Sequence, residues 1–268
     1  MRKPIFVLDY DGVILDSLCE KFVVGFNGYL SVAGGSTCLD GRPLGFADYQ
    51  ARIDEEPHLF EAFRRLVPLI RDLGENAAVF RLIEQGEIPL NRNRYQDRLR
   101  KLGPHFLERC SGEVLRLRRV YSEAKDYDSI CPGFPMVVDA IKKHSDEIDF
   151  CVCTTKPLEN VCHFNSRLDL TQHIARIDVC TGTMKKVEIL HSLTQELSCT
   201  CGQIAFVDDF AHHLLPARDA GFSCYFATWG FGGGDDRESA LSADIPAISQ
   251  TRFAAILDEV AQVGPVPV

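Results

Sequence analysis

Apolar residues in this chain fall into two kinds of pattern. Short apolar runs occur at 5–9 (IFVLD), 149–155 (DFCVCTT), 176–180 (RIDVC), 203–209 (QIAFVDD) and 223–228 (SCYFAT), with a weaker one at 244–249 (DIPAIS). Short apolar runs of this length are candidate strands of a buried parallel sheet. From residue 132 onward they are separated by stretches with helical spacing: PMVVDAIKKH, MKKVEILHSLTQEL, AHHLLPARDAG and TRFAAILDEVAQV. Strand and helix in alternation predict an α/β fold with a doubly wound parallel sheet.

Over a hundred residues separate the first strand from CPGFPMVVDAI, where a simple crossover needs roughly 30. Something is inserted there. HLFEAFRRLVPLIRDL, NAAVFRLIEQG and RYQDRLRKLGPHFLERCSGEVLRLRRVYSEA carry helical patterning with little strand signal, whereas NGYLSVAGGSTCLDGRPLGFADYQ is less regular and reads as a loop. The expected organisation is a Rossmann-like core from residues 1–17 and 129–268, interrupted by a helical cap domain at 18–128. No internal repeat or low-complexity segment is present.

Composition narrows the class. The 46% hydrophobic and 25% charged residues are those of a folded globular protein. A net charge of −9 argues against a broad footprint for nucleic acid or an anionic membrane, so an anionic ligand must be held locally. The N-terminal apolar stretch is too short for a signal peptide or a membrane span, and the expected location is cytoplasmic. Eleven cysteines are an odd number with no CxxC pair, and are expected to be reduced thiols packed as small hydrophobes.

Polar signals then sit at or just beyond the C-terminal ends of apolar runs, where open α/β sheets bind ligands: Asp9 and Asp11, Thr154, Lys186, and Asp208 with Asp209. In this order they resemble the motifs of the haloacid dehalogenase superfamily, whose members are mostly phosphatases. DYDGVILDS is similar to the first motif, CVCTTKP to the second, MKKVEIL to the third and FVDDFAHHLLPARDAGF to the fourth. CPGFPMVVDAI and ATWGFGG also resemble stretches around that core, and the insertion matches a helical C1-type cap in position and helical character.

The resemblance implies Mg²⁺ held by the Asp9 side chain, the Asp11 backbone carbonyl and Asp209, with Asp208 nearby or bound through water. It implies that Thr154, with Thr155 beside it, meets the phosphoryl oxygens, and that the lysine of the third motif pairs with Asp9 and phosphate. Lys185 and Lys186 are adjacent; the helical positions Ile189 and Leu190 favour Lys186. Two departures from the family pattern stand out: in the fourth motif Asp208 replaces the common Gly and His213 stands where a later Asp is usual, and in the second Thr155 stands where close relatives often have Asn. His213 reads as an ordinary helix residue, and Lys156 either as a further cation within reach or as a solvated loop residue. Arg42, Arg92, Arg94 and Arg98 are cationic candidates for the distal part of a substrate, or solvated helix-surface residues.

The chemistry asks for the same residues. A carboxylate attacks phosphorus to give an aspartyl-phosphate, which splits one hard displacement into two easier ones, and Asp9 is placed for it. A second carboxylate two residues on can protonate the departing oxygen and later deprotonate the hydrolytic water, the role open to Asp11. Carboxylates beside a phosphate repel it unless a cation such as Mg²⁺ intervenes. The expected function is a Mg²⁺-dependent phosphatase acting on a small phosphorylated metabolite. The alternatives are a phosphomutase of the beta-phosphoglucomutase type, with the same residues in a water-excluding site, and a non-catalytic member that binds a phosphorylated ligand. A response-regulator receiver domain fits neither the insertion nor the DxD spacing.

Overall fold

The computed structural model describes residues 3–89, 91–124, 126–181 and 184–263. The chain divides into two compact units, one formed by Met1–Asp16 with Pro132–Val268 and the other by Ser17–Cys131. In chain order the first strand, β1 (Ile5–Leu8), is followed by the helices of the second unit: α1 (Leu18–Ala33), α2 (Tyr49–Glu55), α3 (Pro57–Leu66), α4 (Glu75–Glu84), α5 (Arg92–Leu102) and α6 (Pro104–Tyr121). The chain then returns through α7 (Pro135–His144), β2 (Asp149–Thr154), α8 (Leu158–Arg167), β3 (Arg176–Val179), α9 (Lys186–Glu196), β4 (Ile204–Asp208), α10 (Ala211–Asp219), β5 (Ser223–Ala227), α11 (Gly234–Ser242), β6 (Ala247–Ile248) and α12 (Gln250–Val263).

All strands of the sheet unit run parallel, in the order β3-β2-β1-β4-β5-β6. The expected α/β, doubly wound, Rossmann-like sheet is therefore the observed one. Chain order reverses between β1 and β4, the crevice in which open sheets place ligands. Val7, Cys151, Cys153, Phe206 and Phe226 bury one face against Leu190 and Leu193 of α9 and Leu214 and Ala217 of α10. The continuous apolar runs arise because helices cover the strands. The weak run at 244–249 supplies only the short edge strand β6.

In the helical unit the long pattern at 94–124 breaks at Gly103, where Pro104 opens α6. The stretch NGYLSVA, expected to be irregular, instead completes α1. Its glycines lower helix propensity but permit close packing: a Cβ at Gly25 would lie 2.3 Å from the Asn76 carbonyl oxygen, and one at Gly28 3.2 Å from Val114 Cγ2. Tertiary contact outweighs a propensity of about 1 kcal/mol per glycine. Phe22, Phe63 and Phe80 pack ring to ring in this core. Beside them Arg118 donates to both oxygens of buried Glu20, at 2.7 and 3.0 Å. Tyr127 also donates to Glu20, which ties the 3-10 turn Tyr127–Ile130 to the helices of this unit.

Candidate active site

β1 ends inside the sheet, and its ladder with β4 continues one residue further, Asp9 N–H donating to the Val207 carbonyl at 2.9 Å. Asp9 is thereby fixed at the reversal point, 7% exposed. The chain must then turn away sharply, and Gly12 does so at φ +94°, a left-handed conformation that favours glycine. A side chain there meets a second obstacle, since a Cβ would lie 2.3 Å from Asp209 Oδ2.

β4 ends on Asp208 and is followed by Asp209, both fully buried. Asp209 is enclosed by the loop after β5: the Phe231 N–H donates to its Oδ2, and a Cβ at Gly230 would lie 2.4 Å from the Asp209 Cβ. Trp229 anchors that loop by donating from Nε1 to the Val13 carbonyl at 3.0 Å.

Lys186, the first residue of α9, is 3% exposed and places its Nζ 2.7 Å from Asp9 Oδ1 and 2.7 Å from Asp208 Oδ2. One ammonium thus bridges two buried carboxylates. Burial would lower the affinity of Lys186 for its proton, but Asp208 and Asp9 outweigh it and hold the ammonium protonated beyond its usual range. Burial pushes the Asp9 carboxyl up, against the pull of Lys186. At Asp208 burial is overcome by Lys186 and His213, and this carboxyl is held below its usual range.

Asp11 is partly exposed and pairs with Lys156, whose Nζ lies 3.1 Å from Oδ1 and 3.3 Å from Oδ2. Lys156 is 3% exposed, so the solvated-loop reading of it is corrected. Thr154 ends β2 buried, its Oγ1 accepting the Lys156 N–H at 3.0 Å.

The structure thus brings Asp9, Asp208, Asp209 and Lys186 into direct proximity, with Asp11 and Thr154 linked through Lys156. Lys185 precedes the first turn of α9, and its side chain is exposed; the adjacent position, Lys186, is the one directed inward. Thr155 is exposed as well. In the helical unit Arg92 and Arg98 pair with Glu75 and Glu87, at 3.6 and 2.9 Å. His213, read from sequence as an ordinary helix residue, lies with Nδ1 3.0 Å from Asp208 Oδ2. Its spacing from the acidic pair was visible in the sequence; its partner was not, because the turn between β4 and α10 decides which way it faces.

Oxygens of Asp9, Asp208 and Asp209 lie within 4.8 Å of one another. A set of hard oxygen donors without nitrogen or sulfur suits Mg²⁺. Among the described residues no helix is long and apolar enough to cross a membrane, and all the cysteines are free thiols.

No protein-family model matches the sequence, and no curated protein does. Solved structures do match. A haloacid dehalogenase-like hydrolase from Streptococcus pneumoniae superposes with a TM-score of 0.60 at 17% identity, over 95% of this chain and 98% of that one. The fold is that of the haloacid dehalogenase-like hydrolases. A predicted phosphoglycolate phosphatase from Haemophilus somnus gives 0.62 at 14% identity, covering 96% and 98% of the two chains. A predicted beta-phosphoglucomutase from Thermotoga maritima gives 0.56 at 18%, covering 96% and 99%.

Proposed function

We propose that this chain is a phosphatase of the haloacid dehalogenase superfamily, hydrolysing a small phosphorylated metabolite through a phosphorylated Asp9, with Mg²⁺ as cofactor. The observation that carries the reading is the single buried ammonium of Lys186 held 2.7 Å from Asp9 and 2.7 Å from Asp208 at the reversal point of the sheet. A purely structural role would not place a reactive carboxylate at the mouth of that crevice with a cation against it.

In the first half-reaction Asp9 attacks phosphorus, the bond from phosphorus to the leaving oxygen breaks, and Asp11 gives that oxygen a proton. In the second, Asp11 takes a proton from water as the water oxygen attacks phosphorus, and the bond from phosphorus to Asp9 breaks. Lys156 holds Asp11 as a carboxylate, the form the second half requires. The negative charge of an incoming phosphate favours proton uptake by Asp11, the form the first half requires. Lys186 balances charge on Asp9 and the phosphoryl oxygens throughout. Thr154 Oγ1 already accepts a hydrogen bond, so its own hydrogen is available to a phosphoryl oxygen.

Asp9, Asp209 and the Asp11 carbonyl would hold Mg²⁺, with Asp208 beside them. Bound there, the ion would neutralise the charge of the acids so that phosphate could approach. In this reading the helical unit, inserted between β1 and α7, serves as the cap, and the soluble protein works in the cytoplasm.

The test is a panel of phosphorylated metabolites assayed for inorganic phosphate with wild type and Asp9→Asn. Phosphate release by wild type and none by the variant, at equal circular dichroism, supports the reading; turnover by the variant refutes it. The similarity to a predicted beta-phosphoglucomutase supports a phosphomutase as second reading. That activity would interconvert sugar phosphates without net phosphate release.

A further inference from the structure

The mechanism above leaves one well-placed side chain without a task. Asp208 is held at three points: Oδ1 accepts the Phe210 N–H at 2.8 Å, while Oδ2 accepts from Lys186 Nζ at 2.7 Å and faces His213 Nδ1 at 3.0 Å. A carboxylate offers only lone pairs, so Nδ1 carries the hydrogen.

These three donors differ in stiffness. The Phe210 N–H belongs to a local turn two residues on, which fixes one oxygen but leaves the other to swing about it. Lys186 reaches Oδ2 at the end of a four-carbon stem and meets Asp9 as well, so its ammonium is shared between two carboxylates rather than committed to Asp208. His213 has two side-chain torsions and sits in the first turn of α10, whose start is tied down by Asp236 Oδ1 accepting the Ala211 N–H at 3.1 Å. Of the donors to Oδ2 it is the one with fewer side-chain torsions, and it is 23% exposed while Asp208 is fully buried.

We propose that His213 is a positioning residue: by fixing Asp208 Oδ2 it sets where Lys186 meets Asp9. The chain of contacts runs from His213 Nδ1 to Asp208 Oδ2, to Lys186 Nζ, to Asp9 Oδ1. This rests on Asp9 being the nucleophile of the proposed function. It explains how the site works with a histidine at the position where relatives of the pattern carry an acid: the histidine donates to the first acid of the pair.

The test compares His213→Leu, which removes the donor, with His213→Asn, whose side-chain N–H₂ falls near the place of Nδ1. With p-nitrophenyl phosphate, the leucine variant should lose about 10–100-fold in kcat, as supporting partners of reacting groups typically do, with KM little changed, and the asparagine variant should recover most of it. Crystal structures should show the Lys186 to Asp9 contact lengthened in His213→Leu and kept in His213→Asn. Wild-type kcat in His213→Leu, a loss confined to KM, or an unmoved Lys186 would each overturn the proposal. Turnover by Asp9→Asn in the same assay instead overturns the nucleophile assignment, and the crystal structures still decide whether His213 places the lysine.

Discussion

Replacing Lys186 by methionine separates the stability of the site from its chemistry. The stem is matched in volume, so packing changes little, but the ammonium between Asp9 and Asp208 disappears, and those carboxylates are 7% and 0% exposed. Removing one partner of a buried ionic cluster costs about 3–5 kcal/mol. At about 2–4 °C per kcal/mol for a domain of this size, the melting temperature of the sheet unit should fall by about 6–20 °C at neutral pH. The loss should depend on pH, and its sign follows from the carboxyls. In the wild type Asp208 lies below its usual range, so it adds stability above its unfolded pKa, and that stability is lost as pH falls. Without Lys186, Asp9 keeps burial and the Asp208 charge, which raise it, and loses its chief counter-charge, so it binds protons still more tightly folded than unfolded and stability falls as pH rises; Asp208, still facing His213, loses part of what held it down. The gap between wild type and variant should therefore be smallest near about pH 4 and widen toward about pH 7. Denaturant titrations in EDTA across that range measure it directly. A gap below about 1 kcal/mol at neutral pH, or one that does not change with pH, would refute the claim that Lys186 is what makes these burials tolerable.

Asp11→Asn should retain attack on p-nitrophenyl phosphate, whose leaving group departs without a proton, while poor leaving groups suffer far more; the variant should also accumulate Asp9 carrying one phosphoryl group, seen by peptide mass spectrometry after acid quench. Equal losses on both substrate types without an adduct would deny Asp11 the proton-transfer role. Mg²⁺ should raise the melting temperature of the wild type by binding the folded state, EDTA should abolish phosphate release, and Ca²⁺, with its looser and higher coordination, should restore little of it. Full turnover after exhaustive chelation would remove the metal from the mechanism.

The sheet was legible because its central strands β1 and β4 are nearly continuous apolar runs, and the acids at 9, 11, 208 and 209 because they stand at or just beyond the ends of those runs. Choosing between Lys185 and Lys186 required the start of α9, which sequence places only to within a residue or two. The Lys156 to Asp11 pair joins residues 145 positions apart, and no local pattern encodes it. The second half of α1 was misread for a related reason: Gly25 and Gly28 argue against a helix locally and for close packing globally, and only the neighbours Asn76 and Val114 decide.

The seat of Asp209 bears on how such a site tolerates change. Asp209 is surrounded by positions at which there is no side chain at all: a single carbon added at 12, 230 or 232 would come within 2.3, 2.4 or 1.8 Å of its atoms. Three residues that offer no functional group therefore constrain the site as tightly as the acids do, and they lie on loops after two different strands, β1 and β5. A change to any of them would act as a wedge, displacing an acid it never replaces. Loss of function would then arise with every reactive group still in the sequence, so an inventory of acids and lysines alone would score a disabled variant of this protein as intact.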